Sequence, residues 1–162
     1  MNRVVLSALG LLLFWGLAGG QDSLKGKEAP LPAMVSSPDT DRSQAAFERI
    51  AKAWQEGQAE TIATFLGENK VTITLPRVAG GMLSRNQAEY VLRDMFKYSF
   101  TEKFAFVKYD EFVSEGAVGI AEWSYRSVKG GAIVKDKISV WLVKEGKEKP
   151  RWVIREIKQA KP

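Results

Sequence analysis

The stretch AFERIAKAWQEGQAETIATFL, residues 46–66, decides the fold class of this chain. Phe47, Ile50 and Trp54 recur at intervals of three and four residues, which places them on one apolar face of a helix. Gly57 is suited to end that helix, because glycine readily adopts the left-handed conformation of a C-terminal cap. The stretch therefore predicts an amphipathic helix, a glycine break and a second, shorter helix.

A third helix is predicted by LSRNQAEYVLRDMF, residues 83–96. Ser84 stands three residues before Gln87, and this spacing forms a capping box in which each side chain satisfies a backbone N–H of the other residue. The apolar residues that follow at helical spacing are expected to face the core. They are Ala88, Val91, Leu92, Met95 and Phe96.

The rest of the chain predicts a sheet. Residues 71–75 alternate and end at Pro76, as is typical of a short strand with one buried face. Further strands are expected over residues 104–113, 117–128 and 133–144 and from Arg151 onward. Helices followed by hairpin-linked strands indicate an α+β domain with its helices on one face of a curved antiparallel sheet.

The N-terminus, residues 1–20, follows the pattern of a secretory signal peptide. Arg3 is its only charge, and an apolar run over residues 4–17 precedes three small residues. Because that run is shorter than the ~20 residues that span a membrane as a helix, we expect export to the periplasm or beyond. No stable membrane anchor is expected after cleavage, and a retained N-terminal anchor is the alternative.

Two segments follow the predicted signal peptide. Residues 21–40 contain three prolines, few large apolar residues and no periodicity, which predicts a flexible linker. Residues 41–162 are expected to form one globular domain.

The chain contains neither histidine nor cysteine. This composition excludes disulfides, thiol nucleophiles, Ser-His-Asp machinery and zinc motifs that need histidine. Phosphate-binding, dinucleotide-binding and EF-hand spacings are also missing from the sequence, so we expect no cofactor and no metal. Any catalysis would have to come from carboxylates, lysine, tyrosine or hydroxyl side chains.

Positive charge is concentrated near the C-terminus. From Lys135 onward the chain has nine Lys and Arg residues against four acidic ones. Because the acids are interleaved with the bases, we interpret this region as solvated strand faces. No nucleic-acid partner is expected.

The order of helix, short helix, strand, capped helix and strands resembles the nuclear-transport-factor-two-like superfamily over roughly residues 42–160. The two helical stretches quoted above and the closing strand WVIREIK, residues 152–158, carry this resemblance. The superfamily includes SnoaL-like and ketosteroid-isomerase-like domains, and the chain is most similar to a bacterial family of unknown function within it. The resemblance implies a cone-shaped fold, with three N-terminal helices packed on a curved antiparallel sheet around a conical cavity.

Three aromatic residues are candidates for lining this cavity, because the resemblance implies that helices face it. Trp54 lies on the first helix, and Tyr90 and Tyr98 lie on or just after the third. They could offer a ligand aromatic walls with hydroxyl and indole donors. The alternative is that Trp54 is a core residue and that the tyrosines lie at its rim in water.

Asp110 and Glu122 are the candidate carboxylates for the same cavity. A catalytic role would require one of them to point into an apolar cavity with a raised pKa. The alternative is ordinary charge pairing on a solvated sheet face, with Glu122 across from Lys108 and Tyr109. No catalytic residue is assigned.

Two pairs of large apolar residues, each with at least one aromatic member, lie on the predicted strands. Trp123 and Tyr125 share one face by the two-residue period, as do Trp141 and Val143. An aromatic face directed away from the helices would favour a homodimer that forms through the sheet. Packing in the interior is the alternative.

The leading functional hypothesis is an exported, non-enzymatic binding or interaction module, dimeric through its sheet, that takes a small apolar ligand or a protein partner. The absence of recognised catalytic motifs and the resemblance to an uncharacterised family favour it. The alternative is a cofactor-free enzyme of isomerase or hydrolyase type, which would use a buried carboxylate and a tyrosine donor.

Overall fold

The computed structural model describes residues 38–78, 80–112 and 116–160. The side chains of residues 38–42, 111 and 112 are not part of this description. The predicted signal peptide and nearly all of the predicted linker lie outside the described residues. Export and the boundaries of these two segments therefore stay predictions.

The described residues form three helices and six strands, which confirms the predicted α+β class. The helices are α1 (Pro38–Gln55), α2 (Ala59–Ala63) and α3 (Arg85–Lys97). The strands are β1 (Val71–Thr74), β2 (Gly81–Leu83), β3 (Phe100–Phe112), β4 (Gly116–Arg126), β5 (Ile133–Glu145) and β6 (Arg151–Gln159). None of the described helices combines the length and the apolar character that crossing a membrane requires.

The helix ends form where local sequence predicts them. Gly57 adopts a φ of 67° just after α1, as a left-handed cap requires. At the start of α3, the Gln87 backbone N–H donates to Ser84 Oγ at 3.4 Å, and the Ser84 backbone N–H donates to Gln87 Oε1 at 2.9 Å. The capping box is therefore confirmed.

The six strands form one curved, open sheet in the order β2-β1-β6-β5-β4-β3. All neighbouring strands are antiparallel except β1 and β6, whose parallel pairing joins the first strand to the last. The three-residue strand β2 is not among the strands that the sequence predicts. Two register shifts interrupt the pairing of β3 with β4, and such bulges bend and twist a strand.

The core lies between the helices and the inner face of the sheet. Trp54 has 0% exposure, and its ring stacks on Phe104 with centroids 4.6 Å apart. The Gln55 amide fixes α1 against the edge strand, because its Oε1 accepts from the Phe104 backbone N–H at 2.7 Å and its Nε2 donates to the Glu102 carbonyl at 3.1 Å. The C-terminal end of α1 is thus packed into the core.

The predicted register between β3 and β4 is wrong. Glu122 pairs with Ala105, and on its other side with Lys137, rather than with Lys108 or Tyr109. The displacement arises because Phe112 of β3 pairs with Gly116 of β4, and because a bulge between Phe106 and Lys108 adds one further residue to β3.

The pair Trp123 and Tyr125 lies on the inner face of the sheet, and the pair Trp141 and Val143 lies on the outer face. Trp123 and Tyr125 are 2% and 3% exposed and belong to the core, so interior packing holds for them. Trp141 lies on the outer face, where it pairs with Val118 of β4 and is 39% exposed. On the outer face of β4 and β5, Trp141 is therefore the exposed aromatic residue among the described side chains, and these two strands do not present a broad aromatic surface.

Candidate functional site

A pocket of about 280 Å³ opens between α3, the loop after β1 and the end of β4. We call it the tyrosine pocket, because three tyrosines contribute to its walls. Its lining residues are Pro76, Arg77, Val78, Tyr90, Val91, Asp94, Met95, Tyr98, Ser99, Tyr125 and Ser127. Aromatic and aliphatic side chains with a few polar groups are the usual lining of a small-molecule site.

Helix α3 supplies one wall of the tyrosine pocket. Tyr90 and Asp94 are one turn apart, and Tyr98 caps the C-terminal end of the helix. Residues on the other side of α3 enter the core, so the helix holds these three in place. Tyr90 and Tyr98 are 65% and 67% exposed, and they therefore stand at the mouth of the pocket.

The loop after β1 places Arg77 in the same pocket. Its φ of 62° lies in the left-handed region, which costs a residue other than glycine about 1–2 kcal/mol. Its Nη1 donates to Ser127 Oγ at 2.7 Å, and this bond joins the loop to the chain just after β4. Backbone strain of this kind is concentrated at functional sites in proteins. Sequence reasoning missed Arg77, because a backbone angle leaves no signal in the residue type.

Tyr125 contributes from the inner face of the sheet. Its ring stacks on Trp123 at 4.0 Å, and its hydroxyl donates to Asp136 Oδ2 at 3.0 Å. Burial, and next the hydrogen bond to Asp136, raise the pKa of Tyr125 above its ordinary value of 10.0. Asp136 also accepts from Gln159 Nε2 at 2.9 Å, so β4, β5 and β6 meet in one polar cluster.

The raised pKa predicts how stability depends on alkaline pH. The folded state holds the Tyr125 proton more tightly than the unfolded chain, so this contribution is complete below pH 10 and is lost as pH rises through the folded pKa. Between about pH 9 and pH 11, the wild type should lose more free energy of unfolding in urea titrations than Tyr125→Phe. The matched control is Tyr98→Phe, which removes an exposed hydroxyl. Equal losses in all three proteins would contradict the prediction.

The structure separates the predicted site residues into two groups. Tyr90 and Tyr98 line the tyrosine pocket, whereas Trp54 is enclosed in the core and does not reach it. Asp110 lies on β3 and pairs with Lys108 at 2.8 Å, and Glu122 is exposed on β4. Both carboxylates are on the outer face of the sheet, away from the pocket.

One acidic side chain does line the pocket. Asp94 lies 3.8 Å from the Lys97 ammonium, and its side chain is 48% exposed. Within residues 38–78, 80–112 and 116–160 there is no group of three or more acidic side chains that could hold a metal ion. The chemistry of the pocket is therefore that of hydroxyls, one guanidinium and one solvated carboxylate.

The fold is that of the nuclear-transport-factor-two-like class, as predicted. A ketosteroid isomerase-like protein from Erwinia carotovora atroseptica has a TM-score of 0.60 at 8% identity, and the match covers 78% of this chain and 99% of that chain. An NTF-2-like protein of unknown function from Shewanella oneidensis has a TM-score of 0.56 at 16% identity, with 76% and 99% covered. At these identities the likeness shows the fold alone.

The family itself is shown by a second comparison. Residues 47–158 match the model of a domain of unknown function, DUF4783, and the chain belongs to this family. A member of known structure from Bacteroides fragilis is 17% identical with a TM-score of 0.55, and the match covers 70% of this chain and 96% of that chain. No curated protein matches the chain.

Proposed function

We propose that the chain is an exported, non-enzymatic binding module that holds a small ligand in the tyrosine pocket. The ligand would have an apolar or aromatic body, which Tyr90 and Tyr98 would contact, and an anionic or hydrogen-bond-accepting group near Arg77. The observation that carries this proposal is the position of Arg77, a strained arginine held at the wall of a pocket.

The guanidinium of Arg77 is suited to an anionic partner. It has five N–H donors, and Ser127 is the acceptor recorded for it among the described residues. A planar guanidinium binds carboxylate, sulfonate or phosphate oxygens through paired hydrogen bonds. Keeping arginine where glycine would relieve the strain is understandable if its side chain binds something.

The positions of the carboxylates favour a binding function over a catalytic one. An isomerase or hydrolyase of the alternative type would need a desolvated base beside a free tyrosine donor. Asp94 is solvated and close to Lys97, and the Tyr125 hydroxyl already donates to Asp136. Asp110 and Glu122 lie on the opposite face of the sheet.

Binding of 8-anilinonaphthalene-1-sulfonate tests the proposal, because this dye combines an aromatic body with a sulfonate. The dye should bind in the tyrosine pocket, and Arg77→Gly should weaken this binding about tenfold or more, since a charged hydrogen bond is lost. The free energy of unfolding of Arg77→Gly should stay within about 1 kcal/mol of wild type, because relief of strain offsets the lost bond to Ser127.

Arg85→Gln is the matched control for this experiment. It removes the same charge from an exposed position outside the pocket, at the start of α3, and should leave dye affinity unchanged. Equal dye affinity in Arg77→Gly and wild type would contradict the proposal. So would an equal loss of affinity in both variants.

A homodimer through the outer face of the sheet is the second part of the proposal. Val118 pairs across the strands with Trp141, and Val143 lies two residues further along β5 on the same face. Together they make an apolar centre that a second copy could cover. Light scattering should give a dimer mass for wild type and a monomer mass for Trp141→Lys. A strictly monomeric wild type at high concentration would refute this part.

Export rests on the sequence pattern of residues 1–20 alone. Mass spectrometry of the protein from its native host should find a mature N-terminus near residues 19–21. An intact Met1 in a membrane fraction would instead indicate the alternative, a retained N-terminal anchor.

A further inference from the structure

A second concavity, separate from the tyrosine pocket, lies between α1, the end of α2 and the start of β6. Its volume is about 370 Å³, and it shares no lining residue with the tyrosine pocket. We call it the arginine groove. It is lined by Ala45, Ala46, Arg49, Thr64, Phe65, Arg151 and Trp152.

Among the described residues, the lining of the arginine groove includes two arginines and no acidic residue. Arg49 and Arg151 both line it, and among the described residues no carboxylate lies within ion-pair distance of either guanidinium. Lys144 adds positive charge at one side, with its Nζ 5.0 Å from the centroid of the Trp152 ring. The acid closest along the strands, Glu145, is already bonded by Asn69 and Arg155.

The ring of Phe65 orients the guanidinium of Arg49. The Arg49 guanidinium carbon lies 5.0 Å from the centroid of the Phe65 ring. A guanidinium over a ring is attracted by the ring quadrupole, and its N–H groups remain able to bind oxygen atoms. Trp152 adds a second ring to the same lining. The groove thus offers an anion two guanidinium donors and offers an attached ring two aromatic side chains.

The lining is held by backbone pairing rather than by flexible loops. The Ile154 backbone N–H donates to the Phe65 carbonyl at 2.7 Å, and Leu66 forms a parallel bridge with Ile154. Trp152 pairs with Lys144 of β5. A lining positioned in this way would lose little conformational freedom when a ligand binds.

Small residues on α1 leave the groove open. Ala45 and Arg49 are four residues apart and share a face of the helix. Ala46 is largely buried beside them, whereas Ala45 is exposed. A larger residue at position 45 would occupy the groove without disturbing the core.

We propose that the arginine groove is a second binding site, for a small organic anion whose carboxylate or phosphate group is attached to an apolar or aromatic body. The two guanidinium groups bind the anionic oxygens, and Phe65 and Trp152 contact the body. This site is independent of the ligand of the tyrosine pocket.

Calorimetric titration with phenyl phosphate, benzoate and phenol tests this proposal. In a chain that carries Arg77→Gly, one equivalent of phenyl phosphate or of benzoate should bind, and whichever binds more tightly identifies the anionic group. Phenol should bind at least about tenfold more weakly, because it lacks the charged oxygens. Arg49→Gln and Arg151→Gln should each weaken anion binding about tenfold or more.

Two further variants make the result decisive. Ala45→Phe should prevent anion binding without any change of charge, with urea unfolding as the check that it folds. Each variant is made in a chain that carries Arg77→Gly, which removes the guanidinium of the tyrosine pocket, and Arg85→Gln should leave anion binding unchanged in that chain. The proposal is overturned if neither anion binds at millimolar concentration, if Ala45→Phe leaves anion binding unchanged, or if Arg85→Gln weakens binding as much as Arg49→Gln.

Discussion

Replacement of Trp54 by alanine should lower the free energy of unfolding by about 3–5 kcal/mol, as is typical of removing a large buried aromatic side chain. The indole is fully buried, stacks on Phe104 and meets Phe96 and Trp123 edge to face with centroids 5.6 Å away. Three structural elements would lose contacts at once, and the surrounding rings cannot fully close the space. Urea unfolding followed by circular dichroism measures the change.

Trp54→Phe is the informative control. The Trp54 Nε1 atom is buried and has no hydrogen-bond partner in the part of the chain that the structure describes, so replacing the indole by a phenyl ring removes no described hydrogen bond. We expect Trp54→Phe to cost less than half as much as Trp54→Ala. If alanine and phenylalanine cost the same, or if alanine costs under about 1 kcal/mol, Trp54 is not the centre of the core.

Gly119→Ala should destabilise the domain by about 1–3 kcal/mol, although it adds a single methyl group. A Cβ atom at this position would lie 2.7 Å from Cδ1 of Phe106 and 2.8 Å from Cε1 of Phe47. These rings pack on each other with centroids 4.8 Å apart, so neither can move without a further rearrangement. The glycine is therefore required by the close approach of these two rings.

A double-mutant cycle with Phe106→Leu tests this cause. The smaller leucine gives the added methyl group room, so Gly119→Ala should cost about 1 kcal/mol less in that background. Additive effects would mean that the cost arises from the strand backbone and not from the contact with the ring. Chemical denaturation of the four proteins gives the coupling free energy.

Helix ends and apolar faces could be predicted well because they depend on residues close in sequence. Ser84 and Gln87 are three residues apart, and Gly57 needs only its own backbone freedom. The assignment of Tyr90 and Tyr98 to one pocket also follows from a single helix, since the opposite side of α3 is apolar. Local geometry was sufficient for each of these features.

The remaining pocket residues could not be identified in this way. Tyr125 belongs to the tyrosine pocket because β4 alternates between the two faces without a bulge against β5, and packing against the helices makes the face with Trp123 and Tyr125 the inner one. Arg77 reaches Ser127 across fifty positions of sequence, from a backbone conformation that its residue type disfavours. Glu122 lies on the outer face by the same alternation, and Asp110 lies there because it pairs with Val118.

The sequence by itself determined the helices and the α+β class of the domain, because these follow from periodicity and capping over a few residues. Only the tertiary structure decided which residues share a cavity. It placed Trp54 in the core and brought Arg49 and Arg151 to one groove. The physical reason is that long-range packing sets the strand register and the approach of a helix to a sheet. No single segment of the sequence determines that packing.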